Sequence, residues 1–277
     1  MRMKKTIIAA IFAIAASIAC LGCANEDAAT TTVSFVLTDS PVEASTIKAV
    51  NVTVSGVAIN ESGTAEDSES SWLSMTLDPP VSANFLDLQG GVVQSLGDIG
   101  MTGGTQINQI RLMVDSVTVV ESDDSEHQAT LPSATGFKIV NAFSIPRSGT
   151  VTVAIDFDAR KAIVKNSNGY TVKPAIRAVI TGEAGKISGS VGATGATAVY
   201  AYVGGSYDAV ESEIDPDGSS FPNAYCSTFV KDDGSYVLAF MDAGSYDLIA
   251  VDGSGAVVGT LDAVEVVSGS TTENRDF

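Results

Sequence analysis

The stretch Val151, Thr152, Val153, Ala154, Ile155, Asp156, Phe157, Asp158 carries an apolar side chain at every second position. In an extended strand that spacing puts Val151, Val153, Ile155 and Phe157 on one face, whereas a helix would throw them onto two opposed sides. The same period of two recurs at Val33, Phe35, Leu37, at Val50, Val52, Val54, and at Leu73, Met75, Leu77. A half-buried sheet is the structure that uses such a pattern. Two segments break it: the Pro41–Ile47 connection, and Gly91–Gly97, where Val92, Val93 and Leu96 have helical spacing and predict one or two helical turns. Glu61–Ser71 and Glu121–Gln128 are polar and acidic, and their composition predicts mobile, solvent-facing loops.

The Gly-containing, polar stretch Thr181, Gly182, Glu183, Ala184, Gly185 reads as a linker. Beyond it, Lys186–Val191, Ala198–Val203, Ser227–Lys231, Tyr236–Phe240, Tyr246–Val251 and Ala263–Val267 are predicted strands. Asp233, Gly234, Ser235 and Ala243, Gly244, Ser245 supply the backbone freedom that tight strand connections need. The fold class that follows is all-β, with two tandem β-sandwiches over residues 33–182 and 185–277.

The chain opens Met1, Arg2, Met3, Lys4, Lys5, and the apolar run Ile7–Ala19 behind it is too short for a stable membrane span. It reads as a signal peptide, residues 1–22. The end of that segment, Leu21, Gly22, Cys23, resembles the lipobox of bacterial lipoproteins, which is cut before a cysteine that then carries the lipid. Cys23 is thus the expected lipidation site, with Cys20 second, and residues 23–32 the tether. That modification supplies several acyl chains and holds a protein at a membrane without a spanning helix. If Cys23 is acylated, Cys226 is the one thiol left and no intrachain disulfide can form.

Charge narrows the partners. The sequence holds 15 Lys and Arg against 33 Asp and Glu, and loss of Arg2, Lys4 and Lys5 leaves 12 against 33, a charge of −21. Such an acidic chain repels phosphate backbones and anionic lipid, so nucleic acid is excluded as a partner. The remaining candidates are the membrane, through the N-terminal lipid, and a glycan or an envelope protein. The expected location is the bacterial cell envelope: the outer membrane or cell surface in a two-membrane cell.

Three segments carry a resemblance to a known family. They are Leu37, Thr38, Asp39, Ser40, Pro41 with Val50–Val54; Gln109, Ile110, Arg111, Leu112; and Asp156, Phe157, Asp158, Ala159, Arg160, Lys161 with Val172, Lys173, Pro174, Ala175, Ile176, Arg177. Over roughly Thr31–Ile180 the chain resembles domain-of-unknown-function family 4382 of envelope lipoproteins, which brings no established activity with it. The C-terminal part, through its Asp233–Tyr236 and Ala243–Tyr246 turns and its closing Val266–Glu273, resembles the carboxypeptidase regulatory-like, prealbumin-type sandwich. That resemblance implies a noncatalytic appendage and permits glycan binding.

Individual residues offer little chemistry. Asp156 and Asp158 share a strand face nearly 7 Å apart by strand geometry, within range of a carboxylate pair, but Arg160 and Lys161 follow at once and a structural ion-pair network is the better reading. Asp39 ahead of Pro41 fits an Asx turn, and Lys173 with Pro174 an edge strand or bulge. His127, the sole histidine, lies in an acidic loop with no evident nucleophile, and one His with one thiol cannot form a zinc ligand set. Asp215, Asp217 and Gly218, or Asp123, Asp124 and Glu126, cluster oxygens without the spacing of a calcium loop. No metal and no cofactor is expected, and Cys226 reads as a small buried hydrophobe. Six of seven tyrosines follow the linker, and Tyr200 and Tyr202 fall on one strand face with Tyr207 nearby. They either fill the core or form an exposed ligand platform. The functional expectation is a noncatalytic lipoprotein, structural or adhesive, displayed at a membrane. A carbohydrate-binding lipoprotein using the C-terminal aromatics is the alternative, and a hydrolase using the paired aspartates is the weakest reading.

Overall fold

The computed structural model describes residues 29–40, 47–63, 71–133, 136–192, 194–212 and 221–277. The signal segment, Cys20, Cys23, most of the tether and Asp215, Asp217 and Gly218 lie outside these residues. The chain is all-β. Its N-terminal half comprises β1 (Thr30–Ser40), β2 (Ile47–Asn60), β3 (Leu73–Asn84), β4 (Gln94–Thr102), β5 (Gln106–Glu121), β6 (Glu126–Gln128), β7 (Phe137–Ser144), β8 (Gly149–Asp158), the single turn α1 (Ala159–Ala162), β9 (Ile163–Asn166), β10 (Gly169–Val172) and β11 (Ile176–Ile180).

One sheet has the order β11-β8-β1-β4, the other β3-β2-β5 with β6 and β7 both paired to β5, and β9 and β10 form a hairpin. β1 runs parallel to β8, from Thr31 opposite Gly149 to Ser40 opposite Asp158. The alternating residues explain the pairing: Phe35, Leu37, Val153, Ile155 and Phe157 of the first sheet meet Val52, Val54, Ile110 and Leu112 of the second in one core. Each such side chain removed from water contributes about 1.5–3 kcal/mol.

Three expectations need correction. The tether is shorter than its predicted boundary, because Thr30 already pairs with Thr102 and Thr31 is fully buried. Gly91–Gly97 forms no helical turn: Gly90 and Gly91 have positive φ, Val92 and Val93 are exposed, and β4 starts at Gln94. The turn instead falls at Phe85–Asp87, capped by Asn84, whose Oδ1 accepts from the Leu86 amide. Glu121–Gln128 closes as a hairpin between β5 and β6, with the Glu121 amide donating to Ser125 O and the Ser125 amide to Asp123 Oδ1. A local side-chain bond of this kind orders an acidic turn that has no core of its own.

The C-terminal half holds β12 (Gly185–Ser190), β13 (Ala196–Val203), β14 (Cys226–Phe229), β15 (Ser235–Met241), β16 (Gly244–Asp252), β17 (Val257–Val266) and β18 (Thr271–Thr272). Sheets β15-β12-β18 and β14-β13-β16-β17 enclose a second core of Ile187, Val199, Ala201, Tyr236, Leu238, Leu248 and Val264. This seven-stranded sandwich has the architecture that the prealbumin-type resemblance implies. The C-terminal tail seals one edge, since the Arg275 amide donates to Ser188 O and the Phe277 amide to Ser190 O. A Cβ at Gly189 would stand 1.9 Å from the Arg275 carbonyl, so only glycine leaves room for the tail.

Candidate functional site

A set of paired ionisable side chains lies where the two sandwiches meet. It starts from the outer face of the β11-β8-β1-β4 sheet. Strand alternation in β8 sends Val153, Ile155 and Phe157 inward and Ala154, Asp156 and Asp158 outward, yet Ala154 is fully buried and Asp156 only 5 % exposed. Part of their cover comes from the C-terminal sandwich: Phe240 and Ala239 pack with Ala154, Val179, Val36 and the linker's Ala184.

α1 aims the charges. Asp158 accepts from the Lys161 amide at 3.3 Å, and Asp39, reaching across from β1, accepts from the Ala159 amide at 3.0 Å. Two carboxylates thus satisfy orphan amides of one helical turn. Asp39 acts across the fold, which corrects its reading as a local Asx turn. The Arg160 side chain, 2 % exposed, donates to the Phe221 carbonyl, pairs with Asp158 at 3.1 Å and stands 5.5 Å from the Tyr200 ring centroid. Lys161 Nζ donates to the Ala224 carbonyl at 2.7 Å. Arg177, opposite Asp156 in the β11–β8 register, donates through Nε to Asp156 Oδ2 at 2.7 Å. It also donates through Nη1 to the Tyr225 hydroxyl and lies 4.5 Å from that ring's centroid. The Tyr225 hydroxyl in turn donates to Asp242 Oδ2 at 2.9 Å. Three cations of one sandwich therefore engage the 221–225 segment of the other.

The electrostatics follow from burial. Desolvation alone would lower the Arg177 pKa, but the facing Asp156 carboxylate, with Tyr225, more than offsets it and holds the guanidinium above its ordinary value. Burial lowers the Lys161 ammonium despite the opposing pull of Asp158. Burial also pushes the Cys226 thiol up to about 12, which keeps it protonated and unreactive, in line with its reading as a buried hydrophobe.

Asp156 and Asp158 each have their own cation, the arrangement of a structural network. His127 meets both Ser125 Oγ at 3.2 Å and Glu121 at 3.8 Å through the same nitrogen, Nε2, so no relay runs across the ring. Among the described residues no three His, Cys, Asp or Glu side chains converge as a metal site would require. The tyrosine platform is overturned. Tyr200 and Tyr202 do share a face of β13, but they are 2 % and 0 % exposed beneath Phe221 and Ala224, and Tyr207 is half-buried with its ring edge-on to Tyr202 at 5.0 Å. Phe221 and Ala224, just ahead of β14, cover this face while Val199 and Ala201 enter the sandwich core, so both faces of β13 are interior.

A pH dependence follows. The Cys226 thiol ordinarily ionises near 9.0, and burial raises it together with the Tyr202, Tyr225, Tyr236 and Tyr246 phenols. Between about pH 9 and 12 the unfolded chain releases these protons while the folded chain retains them, so the folded state binds more protons and stability must fall as pH rises. The slope is about 1.4 kcal/mol per pH unit for a fully buried group. Urea midpoints at pH 8 and pH 11 should show a clear decline, and an unchanged midpoint would contradict this burial.

Against known proteins, the family model "Domain of unknown function (DUF4382)" matches residues 30–174, which include Asp39, Asp156, Asp158, Arg160 and Lys161. No curated protein matches the chain. Among solved structures, the chain is similar to the minor pilin GBS52 of Streptococcus agalactiae, at 12 % identity over 90 % of this chain and 94 % of that one, with a TM-score of 0.22. The Bacillus anthracis TIE protein matches at 10 % identity over 90 % and 34 %, with a TM-score of 0.21. BcpA, the major pilin subunit of Bacillus cereus, matches at 9 % over 88 % and 70 %, with a TM-score of 0.19.

Proposed function

Since the chain belongs to the DUF4382 family, matched over residues 30–174, we propose that it is a noncatalytic envelope lipoprotein whose two sandwiches form a structural or adhesive module displayed from a membrane by the Cys23 lipid. The observation that carries this reading is the use made of the ionisable groups. Arg160, Lys161 and Arg177 reach the other sandwich instead of an open cleft. The one thiol described is buried and held protonated. Catalysis requires the opposite: a poised group facing a place where substrate can sit.

Display rests on sequence. Leu21, Gly22, Cys23 supports lipidation, and among the described residues no helix is long and apolar enough to cross a membrane. Cys23→Ser is expected to abolish incorporation of labelled fatty acid and to release the protein from the membrane fraction, while Cys20→Ser leaves both unchanged. Label retained in Cys23→Ser would move the acceptor to Cys20.

A further inference from the structure

The described strands leave a short leash between Cys23 and the fold. β1 starts at Thr30, and the Gly103 amide donates to Ala29 O, so Ala29 is already tied to the N-terminal sandwich. Ala24–Ala29 is six residues, with a reach of about 20 Å at most. The pole at which β1 begins is built from the turn after β4 and the turn before β8: Thr31 Oγ1 donates to Pro146 O at 2.7 Å, and Gly104 N donates to both Ile145 O and Pro146 O.

The C-terminal sandwich docks at the other end. Its contacts begin near Val36 and extend to the level of Ser40, which pairs with Asp158 just before the α1 cations. That lies roughly 20–35 Å along β1 from Ala29 at strand rise. Its own direction is also fixed. Phe240 packs at the level of Ala154 and Val36, whereas Val237, three residues back along β15, lies beside Gly90, next to the Leu88–Gln89 segment whose Leu88 carbonyl receives the Asp39 amide. Followed from Met241 back to Ser235, β15 therefore points away from Ala29. The turn at Asp232–Gly234 ends up at the far tip, on the order of 50 Å from Ala29. Residues 185–277 also carry 14 carboxylates against 3 cations, so an anionic lipid surface repels the distal sandwich.

We infer that the pole formed by Thr102–Thr105 and Ile145–Gly149 faces the bilayer and that the C-terminal sandwich is held upright, with its Asp232–Gly234 turn outermost. This rests on the lipid reading above, and the surface it assigns is one for a phospholipid membrane.

The test uses full-length lipidated protein in phosphatidylcholine vesicles with a minor share of phosphatidylglycerol and a nitroxide-headgroup quencher lipid. A fluorophore is placed on Ser148→Cys or on Asp232→Cys, both exposed positions. The Ser148 label should lose most of its emission and the Asp232 label almost none. Inserting a Gly/Ser linker of about 30 residues after Asp27, which adds a root-mean-square span of roughly 30 Å, should reduce the quenching at Ser148 sharply. Equal or reversed quenching in protein that carries labelled fatty acid overturns the orientation alone. Quenching at Ser148 that ignores the longer leash removes the leash as its cause and overturns the inference. Protein that takes up no fatty acid overturns the lipid reading and the orientation with it.

Discussion

Arg177→Ala is expected to destabilise the folded chain by about 3–5 kcal/mol, because it leaves Asp156 buried without its counter-charge. Asp156 is 5 % exposed and its Oδ2 receives the Arg177 Nε. The same substitution removes the cation stacked on Tyr225 and the donor to its hydroxyl, so contact between the sandwiches should weaken as well. Two readouts separate these effects: the urea midpoint reports stability, and protease cleavage within Thr181–Ala184 reports exposure of the linker. Asp156→Leu combined with Arg177→Met should recover much of the stability, since an apolar pair of similar volume avoids the desolvation cost of both ions. If Arg177→Ala costs less than about 1 kcal/mol, the pair is effectively solvated and the junction is not closed.

Tyr202→Ala is expected to cost about 3–5 kcal/mol, the range for truncating a fully buried aromatic. Its ring is 0 % exposed, and its hydroxyl donates to Glu211 Oε2 at 2.9 Å. Glu211 also receives the Asn223 backbone amide at 3.0 Å and the Asn223 side-chain amide at 2.8 Å, so it anchors the Phe221–Ala224 segment that covers this face. Tyr202→Phe keeps the volume and removes only the donor to a buried carboxylate, which should cost roughly 1–3 kcal/mol. A loss below about 1.5 kcal/mol for Tyr202→Ala would mean the face is open after all and would restore the platform.

What the sequence discloses and what it hides divide along physical lines. The period of two in β8 and β1 identifies strands because one face of each meets a core that excludes polar side chains. Ala198–Val203 shows no inner side for a reason visible only in three dimensions: Val199 and Ala201 enter one core while Tyr200 and Tyr202 enter another. A strand covered on both faces has no polar partner to alternate with. Val92, Val93 and Leu96 mislead because helical spacing over so few residues is set aside by two glycines at positive φ and by pairing with β1. The ion-pair reading of Asp156, Asp158, Arg160 and Lys161 follows from adjacency along the chain. The partners beyond it do not: Phe221, Ala224, Tyr225 and Asp242 lie tens of residues away, and only the packing of β11, β14 and β15 brings them to the cations. Asp39 is misread for the same reason, since its partner amide at Ala159 is distant in sequence and adjacent through the parallel β1–β8 register.

Whether the two sandwiches form one docked body can be measured directly as a distance distribution by pulsed electron paramagnetic resonance, with nitroxides at Ser148→Cys and Asp232→Cys in the full chain. Closed packing of Phe240 on Ala154 and of Arg177 on Tyr225 predicts a single narrow distribution that broadens when Arg160, Lys161 and Arg177 are all changed to Ala. A broad distribution in the otherwise unaltered chain, indifferent to those three changes, would show two domains moving freely about Thr181–Ala184 and would contradict the docked junction.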